Sequence, residues 1–270
     1  MEDFQLSIFQ SVLRDETPQA RLSWLDMAAE RAAANGDRLV VCPELSLTGP
    51  RGHDRLGELA QPRGGEYDER VAEIAFLHDI AILFGYPEAV GRRLYNTVVL
   101  ASASGEIIGR HRKNHIPDPD GENAFAAGSG VTVHEVDGWK LAVLVGQDVV
   151  FPELARQAAL AGAELLIVPT ATSQDDSFLL DILCRARAHE NGAHVICANW
   201  AEKTDRNGAQ LCGTSRVIGP DGAERSNAGK AEAIHSCILD RESLTRARKR
   251  LDFLRDYRQS PQARDAGNSQ

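Results

Sequence analysis

The sequence predicts an α/β domain built from mixed sheets covered by helices, and three observations carry that expectation. Short apolar runs such as "RLVVCPE", "KLAVLVG", "ELLIVPTA" and "AHVICANW" have the unbroken hydrophobicity of strands buried on both faces. Stretches of helical period alternate with these runs. Consecutive hairpins near residues 94–112 and 131–145 then interrupt the alternation, which disfavours an eight-fold barrel of strict βα repeats. At 270 residues the chain can bury one large core, and no linker, low-complexity block or internal repeat divides it.

The elements follow in order. "FQLSIFQ" reads as the first strand. "TPQARLSWLDMAAERAAANG" reads as a helix capped by Thr17, with Pro18 in its first turn and Gly36 closing it. "RLVVCPE" is a second buried strand, "EYDERVAEIAFLHD" an amphipathic helix and "IAILFGYPE" a third strand. A meander of "LYNTVVLAS" and "EIIGRHRK" turns at Ser104-Gly105. A loop over 114–130 precedes the strands "VTVHEV" and "KLAVLVG". The second half then runs through the helix after Phe151, the strand "ELLIVPTA", the helix "DSFLLDILCRARAHENG", the strand "AHVICANW", and two closing strands, "LCGTSRVIG" and "EAIHSCILD". "RARKRLDFLRDYR" reads as a salt-bridged helical face, and the polar tail over 259–270 is expected to be flexible.

A net charge of −9 argues against a nucleic-acid partner, which requires a basic surface. No apolar stretch approaches the ~20 residues of a membrane span, and the N-terminus lacks the basic and apolar regions of a signal peptide. The five cysteines (Cys42, Cys184, Cys197, Cys212 and Cys237) form no CxxC pair, and two of them lie inside apolar runs. Free thiols in a reducing, cytoplasmic setting are the expectation. No cofactor is expected.

Three strand ends carry polar features: "VVCPE" ends at Glu44, "EIIGRHRK" at Lys113, and "AVLVGQD" at Gly146 with Asp148 just beyond. Ligands of open α/β sheets bind at the carboxyl ends of strands, so these ends can converge. A carboxylate beside an ammonium in a dry pocket handles protons, the carboxylate accepting one while the lysine holds negative charge on a substrate oxygen. The alternative is an ordinary buried salt bridge.

At these residues the chain resembles a family. "VVCPELSLTG", "GRHRKNHIP" and "KLAVLVGQDVVFPELAR…ALAGAELLIVPTA" look like the three signature blocks of the nitrilase superfamily of carbon–nitrogen hydrolases, closest to its amidase-type branch. The likeness runs over residues 4–258, supported by "YNTVVLASASGEIIG", "RARAHENGAHVICANW" and "SRVIGPDG". It implies a four-layer α-β-β-α sandwich forming one domain over 1–258, with a C-terminal arm reaching over a partner in a homodimer or higher homo-oligomer. It also implies a Glu as general base, a Lys stabilising the tetrahedral intermediate and a Cys as nucleophile. The first two roles carry onto Glu44 and Lys113. The third falls on Gly146, which has no atom with which to attack.

Other departures cluster nearby. Gln147 stands where an aromatic residue often follows the nucleophile, Val150 where an Arg is frequent, and Pro119 where amidase relatives carry a second Glu; Asp118, Asp120 and Glu122 are near enough to replace it. Gln147, Asp148, Thr170, Ala171 and Ser173 are candidate substrate contacts, the last three because "TSQDDS" borders the cleft by resemblance. Asn96 and Asn199 are expected to tie strand ends together. Cys42 faces the same side as Glu44 but deeper, and Cys184 and Cys197 read as core. His111 and His115 flank Lys113, a weak pointer to a metal; exposed or backbone-bonded histidines are the simpler reading, and no metal site is assigned. The implied partner is a small-molecule ligand or substrate, with neither nucleic acid nor membrane.

Four functions fit these residues. One is non-covalent acid–base chemistry on a small amide-, nitrile- or amine-bearing metabolite, by hydrolysis, addition, elimination or cyclisation. The others are a pseudoenzyme that binds a ligand or scaffolds a partner, an engineered Cys-to-Gly form of an aliphatic amidase, and a structural protein with an empty pocket.

Overall fold

A computed structural model describes residues 3–14, 17–50, 55–116, 125–204, 210–250 and 252–261. The first half runs β1 (Phe4–Gln10), α1 (Pro18–Ala34), β2 (Leu39–Val41), α2 (Leu56–Leu59), α3 (Glu66–His78), β3 (Ala81–Val90), β4 (Arg93–Ala101) and β5 (Ile107–Arg112). The second runs β6 (Val133–Val136), β7 (Trp139–Val143), α4 (Pro152–Leu160), β8 (Leu165–Pro169), α5 (Cys184–Asn191), β9 (His194–Ala198), β10 (Lys203–Thr204), β11 (Gln210–Leu211), β12 (Arg216–Ile218) and β13 (Glu224–Asn227). The chain closes with β14 (Ala233–Leu239), α6 (Arg241–Arg250) and α7 (Phe253–Gln259).

Two six-stranded sheets result, in the orders β14-β1-β2-β3-β4-β5 and β13-β12-β9-β8-β7-β6. Each has a parallel centre, β1-β2-β3 or β7-β8-β9, flanked by antiparallel strands. Alternation along the strands explains why both faces are apolar: Leu39 and Val41 of β2 face the other sheet, while Val40 between them faces the helices. Phe4, Leu6, Ile8, Leu83, Leu141, Val143 and Ile167 fill the space between the sheets. Leu22, Leu25, Val71 and Ile74 of α1 and α3 cover one outer face, and Leu154, Ala158, Cys184 and Ala188 of α4 and α5 cover the other. The layers are α-β-β-α, as the resemblance implies, and the eight-fold barrel is excluded.

Local signals work as read at α1, where Thr17 Oγ1 accepts from the Ala20 amide at 3.2 Å. Other elements differ from expectation. β3 includes Pro87, as "IAILFGYPE" anticipated, but runs two residues further to Val90; past the end of β2, Pro87 O accepts from Gln61 N at 3.1 Å. "LCGTSRVIG" is broken into β11 and β12 by Gly213 and Thr214, both with positive φ. The helix ending at Asn191 begins with a π-helical turn over Leu179–Leu183, and β13 has no apolar alternation to announce it. The basic run of α6 is more than a salt-bridged face: Arg248 donates to the carbonyls of Gly192 and Ala163 at 2.9 Å, and Arg241 pairs with Glu164 at 2.8 Å. Among the described residues, no helix is long and apolar enough to cross a membrane.

Candidate active site

Glu44 lies three residues beyond β2, in a turn pinned by Cys42 N to Leu83 O (2.9 Å), Leu47 N to Gly85 O (3.1 Å) and Trp200 Nε1 to Glu44 O (2.9 Å). The turn requires Leu45 at φ +52°, a left-handed conformation disfavoured for a side chain of that size. It also needs Gly85, since a Cβ there would stand 3.0 Å from Leu45 N. Lys113 follows β5 and extends its ladder by donating its amide to Asn96 O at 2.9 Å. Gly146 opens the 3-10 turn Gly146–Val150 after β7, at φ +51°.

These three strand ends converge. Lys113 Nζ and Asn96 Nδ2 both donate to Glu44 Oε1, each at 2.7 Å, and all three side chains are buried. Among the described residues Glu44 Oε2 accepts no hydrogen bond. It faces Gly146 so closely that a Cβ on residue 146 would lie 2.7 Å from it and 3.1 Å from Lys113 Nζ. The acid, the amine and an unencumbered patch of backbone form the floor of a cavity of about 480 Å³. Leu45, Val150, Phe178, Leu179 and Leu183 make apolar walls, and Gln147, Thr170 and Ala171 also line it.

Asp148 and Ser173 are not among the lining residues, so their assignment as ligand contacts is corrected. Asp148 is fully buried beneath the floor. Its carboxylate accepts from the amides of Val145 (3.1 Å), Asn114 (3.1 Å) and His115 (2.8 Å), from His115 Nδ1 (3.1 Å) and from His111 Nε2 (3.4 Å). Burial pushes its pKa up, but these donors outweigh burial and hold it below the usual carboxylate range. One carboxylate thus joins the Lys113 strand end to the Gly146 turn. The two histidines are committed to it, and His115 also stacks on Phe151 with centroids 3.5 Å apart. Among the described residues, no group of three or more His, Cys, Asp or Glu side chains is arranged to hold a metal.

Asn199 joins strand ends as expected, accepting from Thr172 N at 2.9 Å and donating to Gly213 O at 2.9 Å. Asn96 does more than tie strands: it holds Glu44. Its signal was present in "LYNTVVL", where Asn96 shares with Val98 and Leu100 the face that packs against the other sheet. A polar residue on an apolar stripe requires a partner. None of the five cysteines lines the cavity. Cys42 packs in the outer helix layer, where burial pushes its thiol up to about 12. Pro119, Asp118, Asp120 and Glu122 lie outside the described residues.

Comparison with known proteins agrees with this fold. Residues 4–249 match the carbon–nitrogen hydrolase family. A hydrolase encoded in the pqqF 5' region of Pseudomonas protegens is 39% identical over 82% of this chain and 78% of its own. A double mutant of an amidase from Nesterenkonia sp. AN1, in complex with acrylamide, superposes with a TM-score of 0.83 at 29% identity, covering 94% of both chains. In another structure of that amidase, acrylamide has undergone Michael addition at the active-site cysteine; it matches with a TM-score of 0.81 at 29% identity, over 94% of this chain and 99% of that one. With its sandwich architecture, paired Glu44 and Lys113 and a match across nearly its whole length, this chain belongs to the carbon–nitrogen hydrolases of the nitrilase superfamily.

Proposed function

We propose that the protein carries out acid–base chemistry on a small amide-, nitrile- or amine-bearing metabolite without a covalent thiol intermediate, residue 146 being the nucleophile's position left without a side chain. The observation that carries this reading is the free Glu44 Oε2 directed at the space over Gly146, with Lys113 Nζ beside it. Hydrolysis of an amide is the reaction that uses every group. Water over Gly146 gives a proton to Glu44 Oε2 as its oxygen attacks the carbonyl carbon. Lys113 gives one N–H to Glu44 and has two more, which hold the oxyanion of the tetrahedral intermediate. Glu44 returns the proton to the departing nitrogen, the C–N bond breaks, and acid and amine leave. The test is turnover of a panel of small amides and nitriles by the wild-type chain and Glu44→Gln. Loss of roughly 10²–10⁴ in kcat is expected; turnover that persists in Glu44→Gln sinks the reading.

A pseudoenzyme is the second reading, favoured by the Glu44–Lys113 contact itself, because a buried pair persists for stability alone: removal of one partner costs about 3–5 kcal/mol. We further infer a cytoplasmic homodimer. Free cysteines fit a reducing compartment, and Phe178 and Ile182 on the α5 side are more than half exposed, at 55% and 53%. Sedimentation of a monomer at micromolar concentration would remove the dimer.

A further inference from the structure

The floor of the cavity is specific about what it can bind. Asn96 Nδ2 must donate to the Glu44 carboxylate, which leaves Asn96 Oδ1 as an acceptor, buried and without a partner among the described residues. An orphaned buried acceptor on a cavity floor calls for an N–H from the ligand. Beside it, Lys113 offers donors and Glu44 Oε2 an acceptor. Donors to a carbonyl oxygen and acceptors from nitrogen together describe a primary carboxamide.

The mouth has a different chemistry. Asp175 and Asp176 line the same cavity, are exposed, and have no basic partner among the described residues. Ser173 Oγ donates to Asp176 Oδ2 at 2.9 Å and so orients one of these carboxylates, which gives Ser173 a role although it does not line the cavity. The only basic side chain among the described lining residues is Lys113, and Glu44 already neutralises it. Between floor and mouth the wall is apolar, formed by Val150, Phe178, Leu179 and Leu183. The cavity's field therefore opposes a second carboxylate on the ligand and attracts a cation.

We propose that the ligand is a primary carboxamide joined through a short apolar chain to an ammonium group, the ammonium being read at the mouth by Asp175 and Asp176. This rests on the functional reading above for the orientation of the amide. The experiment compares equilibrium binding of three probes of matched length: δ-aminovaleramide, hexanamide and glutaramate. Each is titrated calorimetrically into the wild-type chain, D175N and D175N/D176N, with folding checked by circular dichroism. The cationic amide should bind roughly three- to tenfold tighter than the neutral one, as two partly exposed charge pairs provide. Glutaramate should bind weakest. The cationic advantage should shrink in D175N, vanish in the double variant and fall at high salt. Equal binding of hexanamide, an advantage that survives in the double variant, or no binding of any amide overturns the proposal. A cationic preference without Glu44-dependent turnover would remove the catalytic reading and leave this one standing. Glu44-dependent turnover with no charge preference would do the reverse.

Discussion

At the scale of single residues, the site depends on what residue 146 lacks. Gly146→Ala places a methyl group 2.7 Å from Glu44 Oε2 in a left-handed backbone. We expect it to cost about 1 kcal/mol from the backbone alone and to push the carboxylate off its position. Thermal denaturation should show the first effect, and a fall in kcat larger than any change in KM the second. Gly146→Cys meets the same obstruction, so it should regain hydrolysis only if Glu44 swings aside; a crystal structure of that variant would show the swing. Lys113→Met leaves Glu44 buried with Asn96 as its one donor, and denaturant unfolding should register a loss of about 3–5 kcal/mol. Adding Glu44→Gln should recover part of that loss. Among these residues, Glu44, Lys113 and Gly146 were legible because each ends an apolar run. Asn96 required knowing which face of its strand packs inward, and spacing alone does not give the partner it finds 52 positions away.

At the scale of elements, Asp148 governs how two strand ends meet. Asp148→Asn keeps the size but loses a charge held by five donors, so the β5 end and the Gly146 turn should loosen together. The effect has a pH signature. Because the folded-state pKa lies below the ordinary 3.8, the ionised carboxylate stabilises the fold above that value, and its contribution is lost as pH falls through the lower folded value. The stability gap between wild type and Asp148→Asn should thus be largest near neutrality and close below about pH 4 in urea titrations; a constant gap would remove the carboxylate's charge from the account. Reading Asp148 as a ligand contact failed for a physical reason. Its distance from the elbow was right, but the 3-10 turn rotates it beneath the floor, and sequence does not separate that turn from a continuing α-helix. β13 was invisible because "ERSN" has no apolar face: it is an edge strand whose pairing is set by β12.

At the scale of the whole molecule, the sandwich was legible because buried strands and helices alternate with hairpins, and the pairing of two sheets came from the family likeness. What patterning left open is how the halves lock at their ends. His194 of β9 belongs to that lock, buried beside Trp139 with Nε2 3.3 Å from Asp240 O and 3.4 Å from Ser243 Oγ of the α6 region. Burial pushes its pKa down to about 4. The unfolded chain then binds this proton first, so stability should fall as pH drops from about 6.5 towards 4 and level off below. The full span is worth roughly 3 kcal/mol. His194→Gln should flatten that slope in thermal melts between the two values.

The order in which the strands are joined has a consequence for biosynthesis. β1 lies between β2, made soon after it, and β14, which follows the whole of the second sheet. While translation proceeds from the N-terminus, one margin of the first-made strand has nothing to bond to until the last-made strand leaves the ribosome. Nascent chains stalled before residue 233 should therefore recruit chaperones and resist release as native protein, whereas chains stalled far enough beyond residue 239 for β14 to emerge should not.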